Sequence, residues 1–257
     1  YQCLSGHLTG TDNIAIGYNT MNDTGAGSTS AGSTSNIAIG KQAMGASWSN
    51  NNASNYNIAI GVQSMYGAMD GALNNVAVGH QALTALTTGD QNVCIGAGAG
   101  EAITTGYDNI CIGYRAGDAF DSDVENIFIG TNSGGDGGLA VGTTIGIGAS
   151  ALGSLTSGAG NTAIGYHAGR SLVEGQYNTV MGYQAFDAGQ EDSKCTAIGY
   201  QAMTNADVSD TGSAVATNNT AVGYQSGLSI TTGTSNTFIG YQTGAQGTFR
   251  WKGAYSA

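Results

Sequence analysis

A five-residue phrase (Asn, apolar, small, apolar, Gly) recurs thirteen times between Asn13 and Gly240, and this recurrence constrains the fold more than any other feature of the chain. It reads Asn-Ile-Ala-Ile-Gly at 13–17, 36–40 and 57–61, and Asn-Ile-Cys-Ile-Gly at 109–113. The closing glycines are Gly17, Gly40, Gly61, Gly79, Gly96, Gly113, Gly130, Gly148, Gly165, Gly182, Gly199, Gly223 and Gly240. Seven of the twelve steps between them are 17 residues, two are 18, and the other three are 23, 21 and 24. A near-constant period with a few insertions means one structural unit stacked many times.

The alternation inside the phrase has period two, which is the period of a strand. Ile and Val favour that conformation, and the glycines disfavour a helix. Seventeen residues are too few for a helix-pair repeat, which takes about 33 or more. They suffice for short strands and tight turns. Asn stands four places before the glycine in eleven of thirteen copies: Asn13, Asn36, Asn57, Asn75, Asn92, Asn109, Asn126, Asn161, Asn178, Asn219 and Asn236. Thr144 and Cys195 fill the other two places. An Asn amide suits a turn, and stacked amides can bond one another in a ladder. The sequence therefore predicts an all-β parallel β-solenoid of about 13 coils over 13–244. Residues 1–12 and 245–257 read as caps or junctions, since solenoid ends need covering.

The alternation also defines two faces. The Ile/Val/Thr positions read as the coil's own core. The small positions, mostly Ala and Cys with Phe128, Val180 and Phe238 among them, read as a flat surface open to another chain. A coil this thin has little private interior, so a second burying surface is expected. The expectation is a homotrimer about one axis.

Composition removes several function classes. The net charge is −11 and charged residues are 9%, against roughly 25% in an average domain. Such a surface repels phosphate backbones, so no nucleic-acid partner is expected. Hydrophobic residues make up 40% and recur at fixed places, which argues against disorder. No run of 18 apolar residues is present, so no direct membrane insertion is expected. The first residue is Tyr1, not Met, which reads as a mature or trimmed piece with any signal or anchor outside it. The cysteines Cys3, Cys94, Cys111 and Cys195 show no zinc spacing. Cys94 and Cys111 share one repeat position on neighbouring coils and read either as small apolar residues or as a disulfide.

The fuller copies are Asn161-Thr-Ala-Ile-Gly-Tyr-His-Ala-Gly169 and Asn236-Thr-Phe-Ile-Gly-Tyr-Gln-Thr-Gly244. The shorter phrase resembles the head repeats of trimeric autotransporter adhesins, which are left-handed parallel β-rolls. The fuller one is similar to repeats of phage tail-fibre-like proteins. The resemblance spans 13–244. It implies a non-enzymatic trimeric fibre, extracellular on a virion or cell surface, that attaches to a host surface glycan or protein receptor. A phage or virus fibre is favoured over a bacterial adhesin, because these copies match the viral set more closely. The alternative is a structural filament or spacer subunit with no receptor site of its own.

Insertions on one edge of a solenoid are where ligands are expected. Four segments qualify: 22–35, 45–56, 131–143 and 204–218. The candidate contact residues are Trp48, Asn50, Asn51, Asn52 and Tyr56 in the second and Asp207 and Asp210 in the fourth. An indole beside amides can stack on and hydrogen-bond a sugar, or it can fold back on the coil. Tyr18, Tyr114, Tyr166, Tyr183, Tyr200, Tyr224 and Tyr241 follow the closing glycines, with Gln42, Gln63, Gln81, Gln184, Gln201, Gln225 and Gln242 beside that column. This stripe reads as a structural ladder or as a repeated contact surface. Asp118, Asp121, Asp123 and Glu125 suggest calcium or a solvated acidic loop; no other cofactor is suggested. His7, His80 and His167 are scattered, and no groove of carboxylates and bases is implied, so no enzyme is expected. Thr162, Thr179, Thr196, Thr220 and Thr237 line up as ice-binding threonines would, but earlier coils carry Ile or Val there.

Overall fold

The computed structural model describes residues 3–4, 10–22, 32–46, 48, 52–135, 142–205, 217–230 and 233–244. Each copy of the phrase forms one three-residue strand. These are β1 (Ile14–Ile16), β2 (Ile37–Ile39), β3 (Ile58–Ile60), β4 (Val76–Val78), β5 (Val93–Ile95), β6 (Ile110–Ile112), β7 (Ile127–Ile129), β8 (Ile145–Ile147), β9 (Thr162–Ile164), β10 (Thr179–Met181), β11 (Thr196–Ile198), β12 (Thr220–Val222) and β13 (Thr237–Ile239). No helix occurs among the described residues, so none there is long and apolar enough to cross a membrane. The chain divides into two compact units, one running to Asn126 and one beginning at Ile127. The first carries β1–β6 and the second β7–β13. Both are all-β parallel solenoids.

Within each unit the strands pair in register. Ala38 lies beside Ala59, Cys94 beside Cys111, and Val180 between Ala163 and Ala197. Insertion length does not disturb this: β1 and β2 are 23 residues apart, yet Ile14 still pairs Ile37. The hydrogen-bond ladder continues past the three strand residues into the corner. Ile14 N–H donates to Asn36 O (2.8 Å), Gly40 N–H to Ile16 O (2.8 Å) and Gln42 N–H to Tyr18 O (2.9 Å). The closing glycine is the obligatory residue of that corner. Gly165 sits at φ +137°, and a Cβ there would lie 2.4 Å from the carbonyl oxygen of Gly182 on the next coil. The following corners are left-handed even where the residue is not glycine, as at Tyr177 (φ 58°), Gln184 (φ 49°) and Phe186 (φ 53°). Each such residue costs about 1–2 kcal/mol, so stacking must hold the corners in place.

The two strand faces are the reverse of the sequence expectation. The small middle residues point inward. Ala38, Ala59, Ala77, Cys94, Cys111, Ala163, Val180, Ala197 and Ala221 are buried, as is Phe128. The flanking Ile, Val and Thr side chains point outward, with Ile16 57% and Ile95 38% exposed. The physical reason is interior volume. Two other walls of each coil already supply large side chains: Met21, Met44, Met65, Leu83, Leu152, Phe186 and Met203 on one, and Leu86, Ile103, Phe120, Leu155, Leu172 and Ile230 on the other. A narrow interior filled from those walls favours small residues on the strand, mostly Ala or Cys. The two phenylalanines on the strand each face glycine: a Cβ on Gly134 would lie 2.5 Å from the Phe128 ring, and one on Gly244 would lie 2.5 Å from Phe238. The absent glycine side chain makes room for the ring, as a dense interior requires.

Candidate functional site

The column of asparagines preceding the strands is bonded from coil to coil and buried except at its ends, Asn13 and Asn236. In the first unit both Asn36 N–H and Asn36 Nδ2 donate to Asn13 Oδ1 (2.9 and 3.2 Å). The same pair of bonds joins Asn57 to Asn36, Asn75 to Asn57, Asn92 to Asn75, Asn109 to Asn92 and Asn126 to Asn109. A second Nδ2 proton reaches a corner carbonyl of the next coil, for example Asn92 to Gly106 O at 2.8 Å. In the second unit the relay links Asn178 to Asn161 and Asn236 to Asn219. These amides are spent inside the fold and face no ligand.

The outer corner is different. In the second unit Tyr166, Tyr183, Tyr200, Tyr224 and Tyr241 stack in order, with ring centroids 5.1, 5.3, 5.1 and 5.2 Å apart and planes within 17° of parallel. Their residues are 42–72% exposed. Beside them the glutamine amides form a second ladder: Gln201 Nε2 donates to Gln184 Oε1 (3.1 Å), Gln225 to Gln201 (2.9 Å) and Gln242 to Gln225 (2.9 Å). Each amide nitrogen has two protons, and the ladder uses one. The edge thus presents phenol hydroxyls once per coil, with side-chain amides beside the last four of them. In the first unit the corresponding places hold Tyr18, Lys41, Val62, His80, Ala97 and Tyr114.

A small charged cluster lies at the start of this stripe. The His167 ring stacks on Tyr166 with centroids 3.8 Å apart. Arg170 donates to His167 Nδ1 at 3.5 Å and pairs with Asp187 through Nε at 3.0 Å. Partial burial and the neighbouring guanidinium lower the His167 pKa, and Asp187 opposes them. Burial raises the Asp187 pKa, against the pull of Arg170. This trio was not legible in the sequence, because its members are brought together by coil stacking across a 17-residue step.

The predicted loop contacts are only partly within the described residues. Asn50, Asn51, Asp207 and Asp210 lie outside them. Trp48 is 2% exposed, so its indole is folded inward and offers no stacking face. Asn52 donates through N–H and Nδ2 to Asp70 Oδ1 (3.3 and 3.1 Å). Tyr56 is 59% exposed, in a left-handed turn, and its N–H donates to Thr34 O.

The acidic residues do not gather. Asp118 pairs with Arg115, Asp121 accepts from the Thr104 hydroxyl, and Asp123 is buried. No group of three or more His, Cys, Asp or Glu side chains poised to hold a metal occurs among the described residues. Asp136, within the 131–143 insertion, lies outside them. Cys94 and Cys111 are adjacent buried thiols, and burial together with a hydrogen bond to Cys111 pushes the Cys94 pKa well up. Burial pushes Cys195 up to about 12. No family model, no curated protein and no solved structure matches this chain.

Proposed function

We propose that this chain is the shaft or head of a non-enzymatic attachment fibre, acting outside the cell on a virion or cell surface, that binds a host surface glycan or protein receptor. A phage or virus tail fibre is preferred to a bacterial adhesin on the phrase resemblance. The observation that carries the attachment reading is the outer corner of the second unit, where five solvent-facing tyrosines, the last four with a glutamine beside them, repeat one set of polar groups at one spacing. Identical weak contacts in series give strong attachment through effective concentration.

The same reading assembles three copies through the outward strand face. Ile14, Ile16, Ile60 and Ile95 leave a row of apolar side chains in water on the first unit, with no charged residue on any of its strands. Such a contiguous patch favours a protein partner. Light scattering of the purified chain tests the assembly, and adherence of the labelled protein to intact host cells tests attachment. A chain that trimerises but adheres to no cell surface is a spacer, and the attachment reading is then lost.

A further inference from the structure

The geometry points to a specific ligand class for the tyrosine and glutamine edge: an extended, uncharged, β-1,4-linked glycan lying along the stack from Tyr166 to Tyr241. This rests on the attachment reading and narrows it.

Structural need does not explain the tyrosines. The same corner position folds with Lys41, Val62, Ala97, Thr131 or Ala149 in other coils. The backbone bonds there are the same, as at Gln63 N–H to Lys41 O (3.0 Å) and His167 N–H to Ala149 O (3.0 Å), beside Gln201 N–H to Tyr183 O (2.9 Å). Yet five consecutive coils keep Tyr, and its rings remain 42–72% exposed, so little burial is gained. Because the rings stack on one another, their faces are used and their edges and hydroxyls are what a ligand meets. That disfavours a single sugar clamped on a ring face. It favours a polymer that runs parallel to the stack and meets one hydroxyl and one amide per step.

Spacing selects the linkage. The rings repeat every 5.1–5.3 Å. An extended β-1,4-linked pyranose chain advances by closely this length per sugar, so one sugar falls opposite each rung; successive sugars are turned over, and the same sugar edge faces the stack at every second tyrosine. α-1,4 and β-1,3 chains curve or coil and lose step with the stack after one or two sugars. Charge selects against acidic polysaccharides: the protein carries −11, and the stack itself contributes no cation.

Isothermal titration with cello-, chito- and manno-oligosaccharides of two to six sugars, against malto- and laminari-oligosaccharides of equal length, tests the inference. At least one β-1,4 series should bind, with affinity rising with length and levelling near five sugars, and the α-1,4 and β-1,3 series should be about tenfold weaker or more. The double variant Tyr183→Ala, Tyr200→Ala should lose about tenfold in affinity with an unchanged melting profile. Gln201→Glu, which keeps the tyrosines and adds one charge, should also weaken binding. Equal affinity for α-1,4 chains, absence of length dependence, or retention of affinity in both variants would overturn the inference. Adherence to host cells without binding of any β-1,4 chain overturns the glycan track and leaves the attachment reading standing; failure of both removes both.

Discussion

Cys195 N–H takes the carboxamide oxygen of Asn178 at 2.9 Å, as an asparagine at that rung would, but its thiol has no carboxamide to extend the relay to Asn219. The thiol instead reaches back to Ser193 O at 3.5 Å. Cys195→Asn should restore the rung and raise stability by about 1 kcal/mol, since it adds one or two buried hydrogen bonds net. The opposite change, Asn92→Leu, leaves the backbone N–H of residue 92 on Asn75 Oδ1 but removes the second donor to that oxygen, the donor to Gly106 O and the acceptor of two Asn109 donors. It should cost about 3 kcal/mol or more, because buried groups left unsatisfied are expensive. Urea denaturation of the two variants measures both; an Asn92→Leu protein as stable as the parent would contradict the ladder's role.

The corner glycines should be intolerant in a way other glycines are not. At Gly182 (φ +135°) a Cβ would meet Gly199 O at 2.3 Å. Gly182→Ala carries both that clash and a backbone strain of about 1–3 kcal/mol. At Gly153 the nearest atom to a Cβ is Ser150 O at 3.2 Å and φ is not in the left-handed region. Gly153→Ala should therefore be near neutral, with a gain of up to about 1 kcal/mol from the less flexible unfolded chain. Thermal melts of the pair should separate them clearly.

Thiol chemistry should report burial rung by rung. Cys3 is exposed, while Cys94, Cys111 and Cys195 are buried. Burial also disfavours the thiolate of Cys94 and of Cys195, and the thiolate is the reactive form. Iodoacetamide at mildly alkaline pH should modify Cys3 alone in the native protein and all four cysteines in denaturant, as counted by mass spectrometry. Native labelling of Cys94 as fast as Cys3 would be incompatible with a closed interior.

His167 occupies a place held by Gln in the four coils that follow it, and its folded-state pKa is lowered by burial and Arg170. A lowered pKa means the unfolded chain binds the proton more tightly. The stability supplied by neutral His167 is therefore complete above the ordinary histidine pKa and is lost as pH falls through the window just below it. His167→Gln removes that dependence. The variant should gain thermal stability relative to the parent as pH drops from about 7 to about 5, with the difference smallest at neutral pH. A difference independent of pH would show that His167 is not the titrating group.

The repeat placed every strand. Each three-residue strand falls on its phrase, because alternation and a closing glycine are local signals. The orientation of the strand was not legible. Alternation puts Val93 and Ile95 on one face and Cys94 on the other, but it does not say which face is inside. That was decided by Met44, Leu86 and Phe120, which lie on other walls and fill the interior first. A tally of large side chains around the whole coil, set against its thin cross-section, carries that signal. The tyrosine column was visible as a spacing; its stacking and its separation from the buried asparagine column emerge only in the folded coil. The inward turn of Trp48 had no sequence signal, since an indole amid polar residues suits either orientation.

The register between β1 and β2 survives a step of 23 residues as well as β5 and β6 survive one of 17. Each coil offers its successor the template it received from its predecessor, so nothing in the pairing rules specifies how many turns there should be. Copy number is then open to change: gain or loss of one repeat poses no new folding problem, so the number of turns can drift among descendants.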